Sequence, residues 1–237
     1  MFLLLSYFHV VCEDVNNVFF FVAVPEPVAF YPLNARYKTA EKDNRLLKGI
    51  LGNVVLTNGP YNDPGGAYLF YGTRSSYIEF PNIGALDTRL SITLMCWVNV
   101  QRDQTLGPLF SHGNNFDDVL SFVGMSIWLG RLFIIIEPRL PITSTVEVIP
   151  VGKWVHVAGS YDYTTGNCSL YINGHLSISQ NIGTGYKIDT TAQKVRMGAI
   201  DGDRIVQTYL EGKIAEMKVY DVALNEAQIQ TSIRQGS

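Results

Sequence analysis

The sequence predicts an all-β protein whose short antiparallel strands form a two-sheet sandwich, followed by one brief C-terminal helix. Three observations carry this. Short apolar or alternating segments recur between Gly, Asn, Asp and Pro turn signals from Val28 onward. The composition, with 21 Gly, 10 Pro and 13 Tyr among 237 residues, favours strands and turns over helices. Only "NEAQIQTSI", after Leu224, has a helical pattern, with Asn225 placed to cap it.

The elements follow in order. The chain opens on two apolar runs, "MFLLLSYFHVVC" and "VFFFVAV", neither of which reaches the roughly 20 residues that a helix needs to cross a bilayer. Residues 1–24 are expected to be a signal peptide, although the usual basic start is missing, or a truncated remnant. Residues 28–237 hold no linker, repeat or low-complexity tract and are expected to form one domain. Strands are expected at "AFYPL", "NVVLTNGP", "AYLFYGT", "SYIEFPN", "SITLMCWVNV" and "GPLFSHGNN", each ended by turn residues. The window 119–136 is broken by Gly124, Gly130 and Arg131, which makes it short strands rather than a membrane span. In "KWVHVAGSYD", Trp154, His156, Ala158 and Ser160 share one face and Val155, Val157 and Tyr161 the other. "DYTTGN" then turns the chain and "CSLYING" returns as the partner strand. The natural register sets Val157 opposite Ile172, which puts Cys168 on the Val155 side and His156 on the far side of the sheet. "KVRMGAIDGD" and "GKIAEMKVYD" supply the last strands.

Composition excludes several functions. Net charge is −3 and the basic residues are scattered, so neither a phosphate-neutralising face nor a polybasic lipid signal is present and no nucleic-acid partner is expected. The three cysteines lack a CxxC zinc spacing. His9, His112, His156 and His175 fall in no Gly-x-Ser-x-Gly context, and a hydrolytic triad cannot be assembled from them by spacing. His156 is split across the sheet from Cys168, so it cannot activate that thiol. One Asn-x-Ser sequon, Asn167-Cys168-Ser169, lies at the turn end of the hairpin and is a candidate glycosylation site. Tyr31, Tyr61, Tyr71, Tyr163 and Tyr186 lie near loop or strand ends, where aromatic faces suit carbohydrate, although a sandwich core uses most such rings. Trp97, Trp128 and Trp154 are expected to be packing residues.

Seven runs in order, "AFYPLNARYKTAEKDN", "GGAYLFYGTRSSYIEFPN", "LDTRLSITLMCWV", "GPLFSHG", "GKWVHVAGSYDYTTGNCSLYINGH", "VRMGAIDGD" and "EGKIAEMKVYDVALNEAQI", resemble laminin G-like and pentraxin-like domains of the concanavalin A-like lectin superfamily. The resemblance covers roughly residues 28–233. It implies a jelly-roll β-sandwich of two curved antiparallel sheets, serving outside the cell as an adhesion or ligand-binding module. The pattern is not followed throughout. The pentraxin His-x-Cys-x-Ser/Thr-Trp-x-Ser signature keeps His156 and Ser160 but has Ala158, Tyr161 and Tyr163 elsewhere. Cys96 matches the first pentraxin cysteine, yet the second falls at Ala158, so a Cys96–Cys168 bridge and two buried free thiols both stand as readings. Where many relatives have Gly-x-Ile-Asp-Glu before the last strand, this chain has Gly212, Lys213, Ile214, Ala215 and Glu216, which removes a frequent calcium ligand. A calcium site of the pentraxin kind would draw on Asp117 and Asp118 in "NNFDDV" and on Asp201 and Asp203 in "DGD". Solvated turn acids are the ordinary alternative.

The expected function is a non-catalytic, extracellular binding or adhesion module that recognises a protein or matrix ligand through rim loops, assisted by calcium. A carbohydrate-binding lectin is the alternative. A glycoside hydrolase is the distant third, because related enzymes use a Glu-x-Asp-x-Glu strand and here Glu137, Glu147 and Glu216 are isolated.

Overall fold

The computed structural model describes residues 22–82, 86, 88–102, 107–112, 123–136, 142–144, 147–188, 194–200 and 209–236. Its strands, in chain order, are β1 (Ala29–Tyr31), β2 (Ile50–Leu51), β3 (Val54–Thr57), β4 (Ala67–Tyr71), β5 (Ile78–Phe80), β6 (Ile92–Val100), β7 (Gly107–His112), β8 (Val123–Trp128), β9 (Arg131–Ile135), β10 (Ile142–Thr143), β11 (Val155–Tyr161), β12 (Asn167–Ile172), β13 (His175–Asn181), β14 (Val195–Met197) and β15 (Glu211–Tyr220). One helix, α1 (Glu226–Arg234), follows. It is neither long nor apolar enough to cross a membrane, and no other described segment is a helix.

The strands form two antiparallel sheets. The first, sheet A, runs β13-β12-β11-β6-β15-β4-β3, with β1 also on β15; sheet B runs β10-β9-β8-β7-β14-β5-β2. This is the jelly-roll sandwich that the sequence predicts. Alternation determines which side chains meet between the sheets. Cys96 and Val98 of β6, Val157 and Tyr161 of β11, Cys168 and Leu170 of β12 and Met125 and Ile127 of β8 belong to one buried inner core. At Gly198, φ is +85° and an added Cβ would collide with the Phe70 ring, so glycine is required where the chain leaves β14 against that core.

The hairpin register is the expected one, with Val157 opposite Ile172 and Tyr161 opposite Cys168. β6 lies on the other side of β11, with Cys96 opposite Val157. The two cysteines are therefore two strands and four residues apart, about 16 Å between Cα atoms at ordinary strand spacings, whereas a disulfide needs less than ~7 Å. Both are buried free thiols, and the Cys96–Cys168 bridge is not made. Burial pushes each thiol up to about 12, which keeps it protonated and unreactive.

Sheet A buries its outer face as well. Met95, Ala158, Tyr171 and Tyr220 form a second cluster with Leu224 and Ile229, the latter from α1. Asn225 begins the helix as expected: its side chain accepts from Gln228 N while Gln228 returns a bond to the Asn225 backbone, a complete capping box.

Candidate functional site

A bulge in β15 creates the site. Its pairing with β6 shifts register between Ala215 and Lys218, and Glu216 takes φ +53°. The inserted residue rephases the strand, so that Met217 and Val219 point into the inner core and Lys218 and Tyr220 point outward. Phe30 of β1 lies opposite Lys218.

These side chains floor a cavity of about 300 Å³ on the outer face of sheet A. Lys218, Tyr220, Phe30 and Ser232 are all buried. Val24, Pro25, Glu26 and Pro27 form one wall, Lys42 and Asp43 a second, and Gln235, which caps the end of α1, a third. The wall carrying Lys42 is fixed by its backbone N–H, which donates to the Phe30 carbonyl at 2.8 Å. The N-terminal wall is tied down through Ala23, whose carbonyl accepts from Gln228 Nε2 at 3.2 Å.

The floor is a closed polar network. Lys218 Nζ donates to the Ser232 carbonyl at 2.7 Å and lies 3.3 Å from Ser232 Oγ, which is 2.7 Å from the Tyr220 hydroxyl. The Phe30 ring carries two ammonium groups, Lys218 at 4.8 Å and Lys42 at 5.1 Å from its centroid. Burial lowers the Lys218 pKa, the charge of Glu216 opposes that and Lys42 reinforces it. Burial raises the Tyr220 hydroxyl, offset in part by its bond to Ser232. Donors and acceptors thus converge on a small space of mixed charge, a lining that suits a hydroxyl-rich ligand. Arg45 holds Asp43 at 3.4 Å and Glu41 at 3.0 Å.

The other expected residues that the structure describes are dispersed. Asp117, Asp118, Asp201 and Asp203 lie outside the described residues. Among the described residues no group of three His, Cys, Asp or Glu is arranged to hold a metal ion. Asn167 is exposed. His156 is buried in an edge contact with Trp97, with centroids 5.3 Å apart. His175 is exposed and meets Glu226 at 3.2 Å. Tyr31 is in the inner core, and Tyr163 and Tyr186 pack at its margin. Tyr61 and Tyr71 are exposed, Tyr61 meeting the edge of Trp97. Trp97 and Trp154 are half-buried, but Trp128 is 46% exposed at the end of β8, so it is not the packing residue that its strand pattern suggested.

Sequence reasoning missed Lys218 and Lys42. A lysine set between Met217 and Val219 in the second half of β15 was the available signal.

Comparison with known proteins places the fold. No curated protein matches the chain. Among solved structures it is similar to domain 4 of AbnA, a GH43 extracellular arabinanase from Geobacillus stearothermophilus, in complex with arabinotriose, at 20% identity and TM-score 0.67 over 87% of this chain and 97% of that one. It is similar to the binding domain of Paraclostridial Mosquitocidal Protein 1, at 18% identity and TM-score 0.70 over 88% of this chain and 52% of that one, so it spans about half of that domain. It is also similar to a native heptameric SAP-like pentraxin from Limulus polyphemus, at 21% identity and TM-score 0.53 over 69% of this chain and 79% of that one. At these identities the likeness is one of fold. A laminin G family model matches residues 72–230, and with the two-sheet architecture this establishes that the chain belongs to the concanavalin A-like lectin/glucanases superfamily.

Proposed function

We propose that the protein is a non-catalytic, extracellular carbohydrate-binding module that seats one saccharide unit of its ligand in the cavity above Lys218. The observation that carries this reading is the lining itself: Lys42, Glu26, Asp43 and Gln235 stand around a floor whose own polar groups are already satisfied. Such a site binds hydroxyls through the wall groups without straining the fold. The neighbours support it, since one is a domain in complex with arabinotriose and another is described as a putative carbohydrate binding protein. For that reason carbohydrate stands here ahead of the protein or matrix ligand expected from the sequence. The non-catalytic reading is supported by the sequence, which holds no Glu-x-Asp-x-Glu run of the kind related glucanases use.

A macromolecular partner is the second reading. It is favoured by the apolar tip of the β8–β9 turn, where Trp128 and Leu129 are exposed and Val148 and Val151 lie exposed on the adjoining segment. Binding to an array of neutral and acidic oligosaccharides, compared between the wild type and Lys42→Ala, separates the two. Saccharide binding that Lys42→Ala weakens supports the cavity; no saccharide binding at all favours the tip.

A further inference from the structure

Asn167 opens β12 after the turn at 162–166, with an exposed side chain. Its carboxamide oxygen accepts from Asn181 Nδ2 at 3.1 Å, and its own amide nitrogen has no acceptor among the described residues. Asn181 lies directly opposite in the register and ends β13, the open edge of sheet A. The two ends of this edge differ. At the first, Glu226 of α1 meets His175 Nδ1 at 3.2 Å and accepts from Leu176 N at 3.3 Å. At the other, Ser179, Gln180 and Asn181 are exposed. The strand, "HLSISQN", contains neither Lys nor Pro, the residues that commonly keep an edge from pairing with another chain.

We propose that Asn167 carries an N-linked oligosaccharide and that this glycan covers the open end of the β13 edge. A bulky, hydrated chain one strand from that edge blocks the approach of a second strand. The folded state also fixes when attachment happens. Ser169, the third residue of the acceptor sequence, is buried and donates to Ser179 Oγ at 2.8 Å. The transferase must therefore act before β12 pairs with β13, on the chain as it enters the secretory pathway.

The test is expression of the full chain in a eukaryotic secretory cell line, as wild type and Asn167→Gln. Wild type is expected to run heavier than the variant and to fall to the same mobility after treatment with peptide-N-glycosidase F. Co-migration without treatment overturns the proposal. Light scattering then tests the edge. Asn167→Gln is expected to self-associate with rising concentration, and Asn167→Gln with Gln180→Lys to return to monomer. Should Asn167→Gln fail to fold, wild type trimmed to a single sugar by an endoglycosidase gives the same readout. An occupied Asn167 whose removal or trimming leaves the protein monomeric overturns the edge role.

Discussion

The ammonium of Lys218 lies 2.7 Å from the carbonyl oxygen of Ser232, in the last turn of α1. A helix ends in carbonyls without intrahelical donors and carries partial negative charge there. The buried lysine answers both needs, and it fastens α1 to sheet A across the floor of the cavity. Lys218→Met keeps the apolar stem but leaves that carbonyl without its donor. It is expected to destabilise the protein by about 1–3 kcal/mol at neutral pH, read by urea unfolding.

Lys218 also sets the sign of an alkaline effect. Its native pKa is below the free value of 10.5, so between the two the unfolded chain holds a proton that the native state lacks. Stability therefore rises with pH in that window. Lys218→Met is expected to flatten this rise in denaturation profiles. Buried tyrosines such as Tyr220, whose pKa is raised, act in the opposite direction above about pH 10.

His156 governs the acid side. Burial, reinforced by the charge of Lys218, pushes its pKa down to about 3 from 6.5. Below pH 6.5 the unfolded chain gains a proton that the native imidazole refuses, and stability falls as pH falls, by up to about 1.4 kcal/mol per pH unit. Glu41 and Glu79 also have lowered pKa values, but they begin from 4.5. The interval from 6.5 to 4.5 thus separates the histidine effect from that of these carboxylates. His156→Phe is expected to reduce the slope of the unfolding midpoint in that interval, and an unchanged slope would exclude His156 as its source.

Glu79 anchors the outer face of sheet B. Burial raises its carboxyl pKa, but hydrogen bonds from Lys194 at 3.0 Å and Arg196 at 2.7 and 2.8 Å overrule it, and Arg196 stacks on Tyr77. Glu79→Gln leaves two cations without their carboxylate. A loss of about 2–4 kcal/mol is expected in chemical denaturation, less than for a fully buried pair because Lys194 is half exposed.

Asn225→Ala removes the capping box of α1. It is expected to cost about 1 kcal/mol. Because Gln235 and Ser232 of the α1 segment line the cavity, the same variant is expected to weaken ligand binding modestly.

Much of this was legible in the sequence because it rests on local rules. The alternation around His156 gave the true hairpin register, and Asn225 after Leu224 gave the true helix start. β13 was missed because an edge strand buries little, and its residues are mostly polar. The direction of Cys96 was not legible because β6 is buried on both faces. The cavity was illegible because it depends on one backbone angle: without the bulge at Glu216, alternation from Ile214 would send Lys218 into the core. No sequence period announces a bulge.

The most direct test of the binding account is titration calorimetry of the folded domain against the oligosaccharide that gives the strongest array signal, for wild type, Lys42→Ala and Gln235→Ala. Both side chains reach the cavity rather than the inner core, so the variants are expected to unfold at nearly the wild-type midpoint. The account predicts saturable one-to-one binding that each variant weakens at least about tenfold, or roughly 1.4 kcal/mol. Binding that survives both substitutions unchanged would place the ligand elsewhere and contradict it.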